Sequence, residues 1–454
     1  MYNTVTIEER NIPAVAICNK GFVFDARSAS HIKGMTGLRT VLSSIPPECS
    51  VPEQIESGVD TVMEDIIAAL TSPLTPEEKS PKAPGKAPEK VPRMAFTGSL
   101  EEVNRFFYKK LWSDGLPVIP PTEAAVREML RGTDLPPDHI VGKIVSRFGK
   151  ATVEKIAVNA VMAGALPTYM PLIIAGVEGM ADPTANLGWV AVGTGSHTPC
   201  WIVNGPVRKD LQMNSGTGYL SPGNMANAAI GRALTLIIRN IGGNRKGIED
   251  MGVHGHPGKY TMVVAENEED SPWEPLHVEE GLQKDDNAIS FFSPDCYMQY
   301  WPYGTSEKGI LNALIYNVIP ARCGTFCVML PPVHANTLAR GGWTKKVLES
   351  YISEYVRVPA YQHPNFTGEP RTRGARGEPK LGRMPLNPED RIRILYNPDW
   401  IRVVVAGGAG NYIAVHQSGG GFLNDWVTKK VQLPKDWKAL VEEYKDVVPE
   451  NVSQ

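Results

Sequence analysis

Residues 72–95, which include SPLTPEEKSPKAPGKAPEKVPR, alternate Pro and Lys with Ala and Glu and carry no apolar period. Such a stretch cannot bury a face as helix or strand, so it reads as a stiff, solvated linker. It divides the 454-residue chain into a small unit, 1–71, and a large one, 96–454. A chain of this length exceeds what one hydrophobic core usually organises, and the break shows where the division falls.

The expected fold class is α/β, a small incomplete doubly wound domain linked to a larger α/β or α+β domain. In the small unit, Pro13–Ile17 and Leu38–Leu42 read as buried strands and 52–70 as an amphipathic helix. Strand, helix, strand, helix gives half of a doubly wound sheet, with an open edge that invites a partner. In the large unit the spacing predicts helices near 99–112, from an N-cap at Thr122 through Leu130, at 151–164, 169–181 and 224–240, and two more within 335–356. Apolar strands are expected at Phe326–Leu330 and Ile401–Ala406. No internal repeat is evident at the level of residues.

With 42% hydrophobic residues, 21% charged residues and a formal net charge of −3, the composition gives no footprint for nucleic acid or a membrane surface. No apolar run reaches the roughly 18 residues a membrane span needs, and MYNTVTIEER lacks a signal-peptide core, so a cytoplasmic protein is expected. Six cysteines over this length do not make a disulfide framework. An oligomer is expected.

The densest chemistry lies at 254–279, HGHPGKYTMVVAENEEDSPWEPLHVE, where histidines, acids, a lysine and a tryptophan crowd between turns. Glu266, Glu268, Glu269 and Glu274 are candidate general bases, with Glu266 or Glu274 and His277, a proton carrier near neutrality, handling protons. His254 and His256 alternate on an extended chain and with His277 would make a three-ligand site for a divalent metal. Lys259 and Trp273 are candidate substrate contacts; the alternative is a turn with a solvated histidine and a loop packed by the indole. A second constellation, Asn204-Gly-Pro206 and Ser215 through Asn224 running into a helix, resembles an anion cradle, with Asn204, Asn224 and Arg232 as ligand contacts. The competing reading is a structural turn with Arg232 in a salt bridge. Cys200, after His197, is the candidate nucleophile, or else a buried residue opening a strand. His334 faces the site or caps a helix. Cys323 and Cys327 are read as structurally buried, and Gly407–Gly410, with Asn411, His416 and the following Gly419-Gly420-Gly421, closes a pocket or forms a turn. The pocket is expected from the 197–224, 254–279 and 407–416 loops.

Residues 11–78, from NIPAVAICNKGFVFDARSASHIKGMTGLRT to TSPLTPEE, resemble the second half of the UGSC family of (seleno)proteins, relatives of the selenoprotein component of glycine reductase. The Cys- or selenocysteine-containing motif of that family is not in the chain. The large unit, with WSDGLPVIPPTEAAVREML, NAAIGRAL, IIRNIGGNRKG and VVAGGAGNY, is similar to uncharacterised proteins that accompany UGSC domains. The resemblance implies thiol- or selenol-assisted making or breaking of a carbon–heteroatom bond on a small anionic metabolite. A small partner subunit would supply the missing half-domain and its thiol; the alternative is a docking domain without one, and Cys18 is either an exposed thiol at a strand end or a small buried residue. A metal-dependent lyase or hydratase and a non-catalytic small-molecule-binding scaffold are the other two expectations.

Overall fold

The computed structural model describes residues 2–35, 37–44, 52–79, 93–304, 306–320, 324–363, 387–418 and 426–447. Cys323, Gly419-Gly420-Gly421 and 80–92 of the linker lie outside them. The chain folds as mixed α/β.

In the small unit, β1 (Ala16–Asn19) and β2 (Thr40–Ser43) pair in parallel, with the helix Val23–Ile32 between them. The expected 52–70 helix is broken into Pro52–Asp60 and Met63–Thr71. Arg39 organises the following residues: its guanidinium donates to the carbonyls of Ala69, Ser72 and Pro73 and pairs with Glu78 on the short helix Pro76–Lys79. Ser28 donates to Glu249 of the large unit, whose carboxylate is gripped by Arg147 and Arg245.

The large unit opens with the helix Leu100–Lys109, started by a reciprocal Ser99–Glu102 capping box, and with Thr122 capping Glu123–Met129. A hairpin, β3 (Ile140–Ile144) and β4 (Gly149–Thr152), leads into Val153–Ala163, capped by Thr152 and ended by Gly164 at φ 78°. The core strands are β5 (Cys200–Asn204), β6 (Val263–Ala265), β7 (Ala288–Phe292), β8 (Cys296–Tyr300) and β9 (Phe326–Leu330). After a peripheral pair, β10 (Arg357–Pro359) and β11 (Arg391–Arg393), come β12 (Ile401–Val405), β13 (Ile413–Gln417) and β14 (Val427–Lys430).

These strands form two sheets with one plan. One runs β6–β5–β7–β14 and the other β12–β9–β13–β8, each a parallel pair followed by two antiparallel additions. The large unit therefore contains two half-units of the same topology, a repeat that residue-level comparison did not reveal. The fourth strands are exchanged: β8 follows β7 in the chain yet completes the second sheet, and β14 follows β13 yet completes the first. Each half-unit thus closes the other's sheet, which ties the two into one body.

Strand alternation sets the layers, since successive side chains point to opposite faces. Trp201, Val203, Ile289 and Phe291 pack with the helices Val153–Ala163, Met170–Ala181 and Met225–Asn240. Phe326, Val328, Val403 and Val415 pack with Glu307–Tyr316, Pro332–Arg340 and Lys345–Tyr355. The opposite faces, including Cys200, Ile202, Val264, Phe292, Met329 and Val404, meet between the sheets. The order is helices, sheet, sheet, helices, with three buried interfaces.

Candidate functional site

The parallel pairs β5/β6 and β9/β12 bring their carboxyl ends together, linked by the Asn267 amide donating to the Val405 carbonyl over 2.8 Å. Beside these ends lies a cavity of about 1270 Å³, lined in part by Arg208, Asn214, Thr217, Glu269, Asp270 and Gly408. Its walls come from 208–217, 267–270, 332–333 and 407–409, so each of the three loops expected from sequence contributes. Carboxyl ends of parallel strands leave side chains and loop amides unclaimed by the ladder, which makes them the usual ligand edge of such sheets.

Behind the cavity wall is a buried charge network. Glu266, fully buried, accepts from Asn204 Nδ2 at 2.6 Å and from the Leu276 amide at 2.8 Å, and its other oxygen meets Lys345 Nζ at 3.1 Å. Lys345 also meets Glu279 at 3.1 Å. Burial works against the Lys345 ammonium, but the charges of Glu266 and Glu279 outweigh it and hold its pKa above the ordinary lysine value. Asn204 continues to Glu268 at 3.0 Å, which also takes the Gly205 amide at 2.8 Å. Gly205 has φ 88°, and a Cβ there would meet the Asp286 carbonyl at 2.2 Å, so the close turn that presents this amide requires glycine.

Arg208 closes the network toward the cavity. It donates to the carbonyls of Gly205 and Glu266 and pairs with Glu268 and Glu269. Burial alone would raise the Glu269 pKa; the hydrogen bond and charge of Arg208, with help from Lys209, outweigh it and hold the carboxyl down at about 2. The cavity wall therefore presents an ionised carboxylate beside a fixed guanidinium. Lys209, whose side chain is 68% exposed, reaches Glu269 from the rim at 3.0 Å.

Several residues singled out in the sequence lie elsewhere. Glu274 is exposed and stands outside the network. Cys200 is fully buried between the sheets, as the alternative reading of a buried residue opening a strand expects, and burial, then Cys327, pushes its thiol well above the ordinary value. Arg232 is clamped bidentately by Asp114 at 2.8 and 3.0 Å and donates to the Pro117 carbonyl, which fastens the 112–122 turn and is the salt-bridge alternative read from the sequence. Lys259 is paired with Asp250 at 2.7 Å. Asn224 caps the helix Met225–Asn240 by accepting the Asn227 amide and donates to the Gln212 carbonyl. Trp273 donates its indole N–H to the Trp343 carbonyl at 2.8 Å and packs on the second core. His334 is buried in the first turn of Pro332–Arg340, and burial lowers its pKa.

The three histidines do not converge. His254 is exposed, His256 accepts the Gly258 amide at its Nδ1, and His277 is buried with Nε2 at 3.3 Å from the Lys284 carbonyl. Among the described residues no group of three His, Cys, Asp or Glu side chains is placed to hold a metal ion. Cys18, half-buried, has its thiol raised by burial and then by Asp25.

Sequence reasoning singled out Glu268 and Glu269 as acids of the 254–279 stretch and missed Arg208 and Lys345, the cations that pair with them and with Glu266. Arg208 follows the Asn204-Gly-Pro206 turn closely enough to have been included with it. Lys345 carries no local signal, because it arrives from the other half-unit, 79 residues from Glu266.

Residues 1–72 match the UGSC family. The match covers the UGSC-like unit and stops where the linker begins. No curated protein and no solved structure matches the chain. No helix among the described residues is long and apolar enough to cross a membrane.

Proposed function

We propose that the large unit is the substrate-binding component of an enzyme acting on a small anionic metabolite, with the cavity at the carboxyl ends of the two parallel strand pairs as its site. The observation that carries this reading is the coincidence of that cavity with the buried Glu266–Lys345–Asn204–Arg208 network behind its wall. A network of this kind costs desolvation and is held by several charge-assisted hydrogen bonds at once, so it fixes the geometry of what it touches. Lys209 meets the anionic group first, and the Glu269 carboxylate accepts from the ligand's donors. Glu266 stands in reserve for proton transfer, reached through rearrangement of Lys345.

The reaction is the making or breaking of a carbon–heteroatom bond, with the thiol or selenol supplied by a partner chain. Three features support a partner. The first is the UGSC match confined to the small unit. The second is the two-stranded parallel sheet there, whose outer edges are unpaired among the described residues. The third is the exposure of Ile17, Phe24, Leu42 and Ile67 on a unit this small. Native mass spectrometry of the protein co-expressed with its genomic neighbours tests the reading. Recovery of a small thiol-bearing subunit supports it; a partner-free protein that turns over substrate alone contradicts it.

A further inference from the structure

A second cavity, of about 810 Å³, lies where the β3–β4 hairpin meets the carboxyl end of the helix Met170–Ala181 and the strand β14. It shares no lining residue with the first. The hairpin packs on the helix so closely that a Cβ at Gly142 would meet Ala181 Cβ at 2.4 Å, which sets the spacing of these two walls. Much of the lining is aliphatic: Val141 and Val145 from the hairpin, Met180 and Ala181 from the helix, and Leu187 beyond it.

Four charged side chains line this cavity, and three of them are accounted for. Lys429 pairs with Asp182 at 2.6 Å, and Asp182 also accepts the Thr184 amide at 2.9 Å. Lys143 is exposed, so water screens its charge. Glu178 is half-buried, and among the described residues its carboxylate has neither a hydrogen bond nor an ion pair. Burial raises its pKa above the ordinary carboxylate value, and the charges of Lys429 and His139 offset this only in part. A carboxylate taken partly out of water without a donor is costly, so its place on a cavity wall calls for a donor from outside the chain. The other carboxyls that burial raises, Asp25, Glu279 and Glu349, line neither cavity.

We propose that this cavity binds a small organic cation, a primary ammonium on an apolar body, with Glu178 taking the ammonium and the aliphatic walls taking the body. A carboxylate only accepts hydrogen bonds, and an ammonium brings three donors together with the opposite charge. An anionic ligand would meet Glu178 and Asp182 with Lys429 already spent. Mostly apolar walls around one fixed polar group are the usual make-up of a small-molecule site. This site does not rest on the function assigned to the first cavity.

The test is solution NMR of the full chain with methyl-labelled methionine, reading Met180, whose signal is assigned by its loss in Met180→Leu. The probes are cyclohexylmethylamine and its two isosteres, cyclohexylmethanol and cyclohexanecarboxylate. The expected result is a saturable shift of the Met180 methyl with the amine, and binding weaker by about tenfold or more for either isostere. Glu178→Gln, which keeps the shape and removes the charge, should weaken the amine by a similar factor. A Cβ at Gly188 meets nothing within 4 Å, so Gly188→Leu should fill the cavity and abolish the response with the unfolding midpoint unchanged. No saturable shift with the amine overturns the proposal, as does an equal response to either isostere or an undiminished response in Glu178→Gln or Gly188→Leu. If Glu178→Gln fails to fold, Gly188→Leu and the comparison of the three probes still decide.

Discussion

The two half-units share a strand plan and differ in what stands at the carboxyl end of the parallel pair. At the carboxyl ends of β5 and β6 stand Asn204, the last residue of β5, and Glu266, just beyond β6; at the equivalent positions beyond β9 and β12 stand Pro331 and Ala406. The first end is charged and crowded, the second bare. Gly408, beyond the second, packs so closely on the loop from the first half-unit that a Cβ would lie 1.8 Å from Thr217 Oγ1. One half-unit supplies the polar groups and the other supplies room, so a cavity forms at an edge where two identical ends would have met in mutual repulsion or in a dry seam. Lys345 is the exception that binds the comparison together: the bare half-unit returns one cation to neutralise the charged one.

The largest expected effect comes from removing that cation. Lys345→Met leaves Glu266 buried and unpaired, and should cost about 3–5 kcal/mol in chemical denaturation, with the double variant Glu266→Gln/Lys345→Met costing less than the sum of the singles. Additive costs would show that the two half-units are not coupled through this pair. Next, Gly408→Val should destabilise by about 1–3 kcal/mol and close the cavity, abolishing ligand binding while leaving the far cores intact. Unchanged ligand affinity in this variant would remove the bare end from the site.

A smaller effect is expected from pH. Because the folded Glu269 pKa, about 2, lies below its unfolded value, the carboxylate's contribution is fully present above the ordinary carboxylate range and fades as pH falls toward 2. Unfolding midpoints measured from pH 5 to 2 should therefore fall more steeply for the native protein than for Glu269→Gln. Parallel curves would contradict the Arg208 clamp. Smallest of all, Glu274→Gln should shift stability by less than about 0.5 kcal/mol and leave ligand binding unchanged, since the side chain is exposed and outside the network.

The fold was legible where the information is local. Thr122, Thr152 and Asn224 declare their helices by capping, and the apolar faces of Val153–Ala163 and Met225–Asn240 follow from period alone. The exchanged strands were not legible, because β8 and β14 pair with partners more than a hundred residues away and no periodicity encodes which sheet an edge strand joins. The site divided along the same line. Glu266 and Asn204 were visible as polar residues ending apolar strands. Arg232 and Lys259 were assigned to a ligand because their carboxylates, Asp114 and Asp250, reach them only in three dimensions. The histidines divide in the same way: His277 belongs to a short buried helix, Leu276–Glu279, and His254 is exposed, so nearness in sequence is not convergence in space among the described residues.

The central claim is that the cavity between the charged and the bare strand ends is a ligand site. Equilibrium dialysis of a library of small anionic and neutral metabolites against the full chain, read by mass spectrometry, tests it most directly when run beside Gly408→Val and Glu274→Gln. The account predicts retention of a small anionic metabolite by the native protein and by Glu274→Gln, and its loss in Gly408→Val. Retention that survives Gly408→Val, or no retention by the native protein, would contradict it.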